Sequence, residues 1–259
     1  MTDKKLTSIF TRVGNKNNIK NQLYKYFPDD FQNYVEPFVG GGSVFMGYSF
    51  KENQKIVIND LETNLIKSYK FIQSNPSIID TKEKFDTREK SKLETLIKNG
   101  KGKDGIDGFV YFCIYYANSY GGKGCETIAK LMSVSPYYRI KRIPKQAKKL
   151  KNITILNEDG INVINKYNTI DTFLYIDPPY ENSKTLYKNY KFNYEKLLNV
   201  LKKFKGKWLL SVNSSENIKN IFSDYQILEI SVNSGGNGNT FNKGIGCYKR
   251  NEFIIKNYL

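Results

Sequence analysis

Apolar positions recur along this chain with two periods, near 3.6 and near 2, and their alternation predicts its elements. Residues 18–27 (NIKNQLYKYF) space Ile19, Leu23 and Tyr26 or Phe27 along one helix face, and Pro28 with the two aspartates after it marks the end. NYVEPFVGGGSVF then reads as a short apolar strand, a glycine turn and an apolar run suited to a helix. KIVIND (55–60) is a β-branched run ending in Asp60, which reads as a buried strand, and LETNLIKSYKFIQ follows as a helix. Residues 81–108 are charged and close on a glycine-rich stretch, a solvated helix and loop. Residues 107–124 form an aromatic run entering a glycine loop, and residues 125–151 are densely basic. ITIL (153–156) predicts a strand, followed by a helix near 160–166. TFLYIDPPY (172–180) is a continuous apolar strand running into a turn, and YEKLLNVLKKF (194–204) is an amphipathic helix. KWLLSVNSS (207–215) and NEFIIKNY (251–258) are later strands, with a flexible loop at 233–246 between strands. Strands alternating with helices predict an α/β domain on a mostly parallel sheet. The charged and basic block before ITIL is the natural insertion.

Composition narrows the chemistry. A chain of 259 residues is one large domain, or one domain with an insertion. Its 14% aromatic content, with 20 Tyr and 16 Phe, is ample for a core. It has no histidine, so a His general base, a His-based triad and a His-ligated zinc site are all excluded. Lys+Arg 41 against Asp+Glu 25 gives a net charge of +16, which suits a polyanion such as nucleic acid. An A+T-rich genome would also inflate Lys. Arg is confined to Arg12, Arg88, Arg139, Arg142 and Arg250. Lys serves phosphate as a point charge, whereas Arg forks onto guanine edges. Cys113, Cys125 and Cys247 form no CxxC pair, which predicts free thiols in a reducing compartment and no metal site. The first ten residues lack the apolar run of a signal peptide, and no stretch reaches the roughly 18 apolar residues of a membrane span. The expectation is a soluble, intracellular protein.

Two turns carry the candidate chemistry. Gly40, Gly41 and Gly42 follow a strand and precede a helix, at the place where doubly wound folds bind ligands. Glycines there let a ligand approach the backbone. Asp60, ending the next strand, is placed to accept from ribose hydroxyls; helix capping is the plainer reading. The turn reads Gly-Gly-Gly-Ser and is not the GxGxxG dinucleotide fingerprint. Asp177-Pro178-Pro179-Tyr180 also ends a strand. Its two prolines fix φ and remove two donors, leaving a rigid turn rich in acceptors. Such a turn can present the Asp177 carboxylate, the Pro178 carbonyl and the Tyr180 ring to one planar ligand bearing an NH2.

Taken together these segments resemble the Dam-type, D12 class DNA adenine-N6 methyltransferases, which use S-adenosyl-L-methionine. TRVGNKNNIKNQL is similar to the family's N-terminal Tyr-x-Gly-Gly-Lys motif. Gly14 and Lys16 match, Arg12 stands at the aromatic position, and Asn15 replaces the second glycine. EPFVGGGSVF resembles the Phe-x-Gly-Gly-Gly-Ser-Val cofactor loop, VINDLETNLI the segment with the ribose acid, and ILNEDGINVI the segment whose Asp contacts the cofactor adenine. LYIDPPY resembles the catalytic motif, LLSVNSS the strand after it, and RNEFIIKNY the family's closing segment.

The resemblance implies a Rossmann-like methyltransferase sheet with an inserted, mainly helical target-recognition domain. The motif order is the α-type: residues 1–80 and 150–259 form the catalytic domain and 81–149 the insertion. It implies Asp177, Pro178 and Tyr180 as catalytic residues. Arg12, Lys16, Phe38, Gly40, Gly41, Gly42, Ser43, Asp60, Asp159 and Asp177 are implied at the cofactor. The candidates for DNA contact are Asn118, Tyr120, Lys123, Tyr138, Arg139 and Arg142. Tyr115, Tyr116, Tyr120, Tyr137 and Tyr138 flank basic residues, and one could fill the gap left by a flipped base; core packing is the alternative for them. The implied partner is double-stranded DNA, at GATC or a related short site, with a restriction endonuclease as a counterpart. The alternatives are an RNA or protein-glutamine methyltransferase of this fold, or a catalytically silent DNA-binding relative. The first more often carries an NPPY-type turn, and the intact motif set argues against the second.

Overall fold

The computed structural model describes residues 6–8, 10, 14–76, 95, 98–99, 103–105, 107–109, 143–180, 192–234 and 248–259. A short helix α1 (Lys20–Leu23) and a 3-10 turn (Tyr24–Tyr26) lead into β1 (Asn33–Glu36). There follow α2 (Ser43–Gly47), β2 (Lys55–Asn59) and α3 (Thr63–Ser74). Helix α4 (Ile143–Leu150) precedes β3 (Thr154–Leu156), α5 (Gly160–Lys166) and β4 (Thr172–Ile176). Then come α6 (Tyr194–Leu201), β5 (Lys207–Asn213), α7 (Glu216–Ile221), β6 (Gln226–Ser234) and β7 (Tyr248–Lys256).

Among the described residues the sheet has seven strands in the order β3-β2-β1-β4-β5-β7-β6. The first five are parallel, and β7 pairs antiparallel with both β5 and β6. This is a Rossmann-like sheet carrying a reversed hairpin at one edge. Chain order reverses between β1 and β4, so the crevice at their carboxyl ends is the switch point. The expected α/β fold is observed.

Four elements differ from the sequence reading. The first helix is only four residues long before the 3-10 turn, because Phe27 is already extended ahead of Pro28. Strand β6 and helix α7 were not predicted. Of these, QILEISVNS, with Leu228, Ile230 and Val232 alternating with polar residues, pairs over nine residues with β7, the next strand in the chain. Helix α4, in the basic stretch, turns Ile143, Gln146, Ala147 and Leu150 inward, and its Ile143, Ala147 and Leu150 share a core with α3 and β1.

The sheet is buried on both faces, which explains the unbroken apolar runs of its central strands. Side chains alternate across it. Phe173, Tyr175, Leu209 and Ile254 join a core under α1 and α3, while Leu174, Ile176, Trp208, Leu210 and Ile255 join a second core under α5 and α6. The same alternation puts Glu36, Asp177, Ser211 and Glu252 on the face of the first core. Four adjacent strands thus bring polar groups toward one place.

Candidate active site

The first acceptor centre forms at the ends of β1, β2 and β3. Gly40 and Gly42 have φ of +49° and +74°, so this turn needs residues without a Cβ penalty. At Gly40 nothing lies within 4 Å of the position a Cβ would take, so the turn opens outward there. The Gly40 N–H donates to Asp60 Oδ2 at 2.9 Å, and the Glu62 N–H to Oδ1 at 3.0 Å. Asp60 therefore fixes the glycine turn and the entry to α3 at once. Asn59, fully buried, stitches the strand ends: its Nδ2 donates to the carbonyls of Pro37 (2.9 Å) and Glu158 (3.0 Å), and its Oδ1 accepts from Glu158 N–H.

Asp159 caps α5, its Oδ1 accepting from Ile161 N–H at 2.8 Å. The next residue, Gly160, lies so close to Phe38 that a Cβ would fall 2.4 Å from the ring. The half-buried Phe38 ring is also held edge-on by Phe192 at 5.4 Å. Phe38, just before the glycine turn, thus packs against the first residue of α5, next to Asp159. Ser43 has a definite partner: its Oγ accepts from the backbone N–H of Lys16 at 3.1 Å.

The second centre forms at the end of β4. Lys16 is 1% exposed, and its Nζ donates to Asp177 Oδ1 at 2.7 Å, to the Tyr180 hydroxyl at 2.6 Å and to the Gly14 carbonyl at 3.2 Å. The Tyr180 hydroxyl donates to Glu252 Oε1 at 3.0 Å, Ser211 Oγ donates to Glu252 Oε2 at 3.2 Å, and that oxygen stands 3.6 Å from Lys16 Nζ. Asp177 keeps 21% exposure, so the carboxylate faces the crevice while the lysine lies beneath it. Burial opposes the charge on Lys16. The Asp177 and Glu252 carboxylates, with the Tyr180 oxygen, outweigh that penalty and hold the ammonium above its ordinary range. Burial raises Tyr180, and Lys16 only partly offsets it, so the hydroxyl stays protonated.

Glu36 lies beneath this cluster. It is buried, and Tyr34 donates to its Oε2 at 2.7 Å. Burial pushes its carboxyl well up, the Tyr34 bond pulls it down, and the negative charge of Asp177 adds to the rise.

Of the residues singled out from the sequence, Lys16, Phe38, Gly40, Gly41, Gly42, Ser43, Asp60, Asp159, Asp177, Pro178 and Tyr180 lie at the carboxyl ends of β1 to β4 or against them. Arg12, Asn118, Tyr120, Lys123, Tyr138, Arg139 and Arg142 lie outside the described residues, as do Tyr115, Tyr116 and Tyr137. Sequence reasoning missed Glu36, Asn59, Ser211 and Glu252. Their signal was available: each is a polar residue inside an apolar strand, where it must be paired to be tolerated.

A cluster of one ammonium, two carboxylates and a phenol, beside a glycine turn fixed by Asp60, suits group transfer to an amine. Similar proteins are known. The type II methyltransferase M.CviBI of Paramecium bursaria Chlorella virus NC1A is 25% identical over 264 residues, spanning 95% of this chain and 97% of that protein. The type II methyltransferase M1.LlaDCHI of Lactococcus lactis subsp. cremoris is 27% identical over 277 residues, spanning 96% and 95%. A DNA adenine methylase of Vibrio cholerae serotype O1 is 22% identical over 188 residues, spanning 68% and 66%. The family model of the D12 class N6 adenine-specific DNA methyltransferases matches residues 13–234, from the lysine segment through β6, and the chain belongs to that family of enzymes.

Proposed function

We propose that this enzyme transfers a methyl group from S-adenosylmethionine to N6 of an adenine flipped out of double-stranded DNA, at GATC or a related short site. The observation that carries the reading is the Asp177 carboxylate, held at the switch point by a buried lysine and rigidified by two prolines. The glycine turn and Asp60 suit the cofactor: the turn is open at Gly40, and Asp60 presents acceptors for a ribose diol. Asp159 and Phe38 would flank its adenine, with Arg12, Gly41, Gly42 and Ser43 in the remainder of the cradle. When bound, S-adenosylmethionine supplies a methyl already activated by its sulfonium, so that N6 gains the methyl and loses one proton while S-adenosylhomocysteine leaves.

The chain's own part is to prepare the amine. The lone pair of N6 is delocalised into the ring, which makes it a poor nucleophile. Asp177 and the Pro178 carbonyl accept the two amine hydrogens, so the nitrogen can pyramidalise. Asp177 then stabilises the positive charge that develops on it. Tyr180 offers its ring for stacking of the extruded base. Holding both substrates in one crevice supplies much of the remaining rate. None of this needs an imidazole, which fits a chain without histidine.

Residues 81–149 are the proposed target-recognition insertion. Its lysines neutralise phosphates, and Asn118, Tyr120, Lys123, Tyr138, Arg139 and Arg142 are its candidate DNA contacts. No described helix is long and apolar enough to cross a membrane. An intracellular setting, with a restriction endonuclease as counterpart, follows from this reading and from the type II names of the relatives.

The test is transfer of tritiated methyl from S-adenosylmethionine to unmethylated DNA, RNA and protein side by side. Label in N6-methyladenine of DNA is expected. Label confined to RNA or protein, or no label at all, overturns the reading. Sequencing the modified bases in genomic DNA gives the site.

A further inference from the structure

We propose that Glu252 is a positioning residue of the transfer site: it takes over Lys16 when the substrate amine claims Asp177. The amine and the Lys16 ammonium are both donors competing for one carboxylate. Lys16 is 1% exposed, so water cannot compensate it if Asp177 turns to the substrate. A buried cation stripped of its partner is expensive. Glu252 removes that difficulty. It is fully buried on β7, and its Oε2 stands 3.6 Å from Nζ, against 2.7 Å for Asp177 Oδ1. A movement of about one ångström exchanges one carboxylate for the other, well within the reach of a lysine side chain.

The surrounding bonds hold Glu252 ready for this. Ser211 and Tyr180 both donate to it, one to each oxygen, so the carboxylate is fixed from two sides. Lys16 donates in turn to the Tyr180 oxygen at 2.6 Å, which joins the two end positions of the ammonium through one hydroxyl. The cluster of Lys16, Asp177 and Glu252 carries a formal charge of 1 − 2 = −1. That surplus favours the positive charge developing on the amine, whereas a Lys16–Asp177 pair alone would be neutral.

The proposal rests on the adenine-transfer reading, and the two fail differently. No DNA labelling by the unaltered enzyme defeats that reading; normal labelling with an undiminished rate in Glu252→Gln defeats this proposal alone. The experiment measures single-turnover methylation of unmethylated genomic DNA, with S-adenosylmethionine affinity by calorimetry and thermal melting on the same preparations. Glu252→Gln keeps size, removes the charge and exchanges one acceptor oxygen for an NH2 donor, toward which the Ser211 hydroxyl can turn as acceptor. It is expected to slow transfer at least tenfold while changing the S-adenosylmethionine Kd less than threefold. In a Lys16→Met background there is no ammonium to share. There the same substitution is expected to slow transfer less than threefold and to raise the melting temperature, because it removes a carboxylate that has lost its counter-ion. Equal slowing in both backgrounds overturns the proposal, as does a loss found wholly in the Kd. If Glu252→Gln does not fold, Ser211→Ala loosens only the far side of the carboxylate; slowing of two- to fivefold is expected, and an unchanged rate overturns the proposal.

Discussion

Lys16 and Asp177 are 161 positions apart and meet at 2.7 Å, the lysine beneath the floor of the crevice and the carboxylate at its surface. The pair ties the N-terminal segment to the end of β4. Lys16→Met is expected to lower stability by about 3 kcal/mol or somewhat more, since breaking one side of a buried pair typically costs 3–5 kcal/mol. The pKa of Lys16 is raised on folding, so the contribution is fully present below its unfolded value of 10.5 and declines only as pH rises through the folded value. Denaturant melts of both proteins should show a constant difference from pH 6 to about pH 9. A gap that shrinks steadily across that range contradicts the assignment.

Asp177→Ala is expected to reduce methyl transfer by about a thousandfold or more, consistent with loss of a preorganised group worth about 4 kcal/mol in the transition state. S-adenosylmethionine binding, measured by calorimetry, should stay within about fivefold, roughly 1 kcal/mol. Equal loss of binding and transfer in a folded protein would place Asp177 in the cofactor site alone.

Asp60→Ala removes the acceptor for both Gly40 and Glu62 N–H groups. Hydrogen bonds to a charged acceptor contribute about 1.5–3 kcal/mol each, so the turn loses much of its order. The expected result is S-adenosylmethionine affinity weakened by about ten- to a hundredfold, about 1.4–2.7 kcal/mol. Unchanged affinity would restrict Asp60 to capping.

Gly160→Ala would place a methyl 2.4 Å from the Phe38 ring. The ring is also held edge-on by Phe192, which packs on Tyr194 at the start of α6, so its movement disturbs that helix. Overpacking of this kind costs about 1–3 kcal/mol. A lower melting temperature is expected together with weaker S-adenosylmethionine binding, and Phe38→Leu in the same chain should restore part of the stability. Full tolerance of the alanine would show that this contact does not shape the cleft.

Lys149 gives a pH signature away from the site. Its Nζ donates to the carbonyls of Met46 and Tyr48 at the end of α2 and lies over the Phe50 ring. Burial, with the like charge of Lys20 adding to it, brings its pKa down to about 8 from 10.5. Between those values the unfolded chain binds the extra proton, so stability rises with pH in that window. The stability of the wild type minus that of Lys149→Met should therefore increase from pH 8 to pH 10, read by denaturant unfolding at each pH. A flat or falling difference refutes it.

What the sequence determined was the list of strand ends and the chemistry at each. Gly40–Gly42, Asp60, Asp159 and Asp177–Tyr180 all sit in short contiguous motifs beside β-branched or aromatic runs. Local periodicity is enough to place such motifs, since a buried strand announces its own end. What only the tertiary structure decided was which polar side chains share a face. Glu36, Ser211 and Glu252 read as isolated polar residues in apolar strands. Side-chain alternation and the strand order β1-β4-β5-β7 bring them under one lysine from the N-terminal segment. Strand β6, where Leu228, Ile230 and Val232 alternate with polar residues, and the inward face of α4, with Ile143, Ala147 and Leu150 at i, i+4 and i+7, did carry local periods, and the fold decided only what they pack against. Periodicity acts over a few residues, whereas strand order and the pairing of buried charges are set by packing the whole sheet, and that is where the second carboxylate of the site was found.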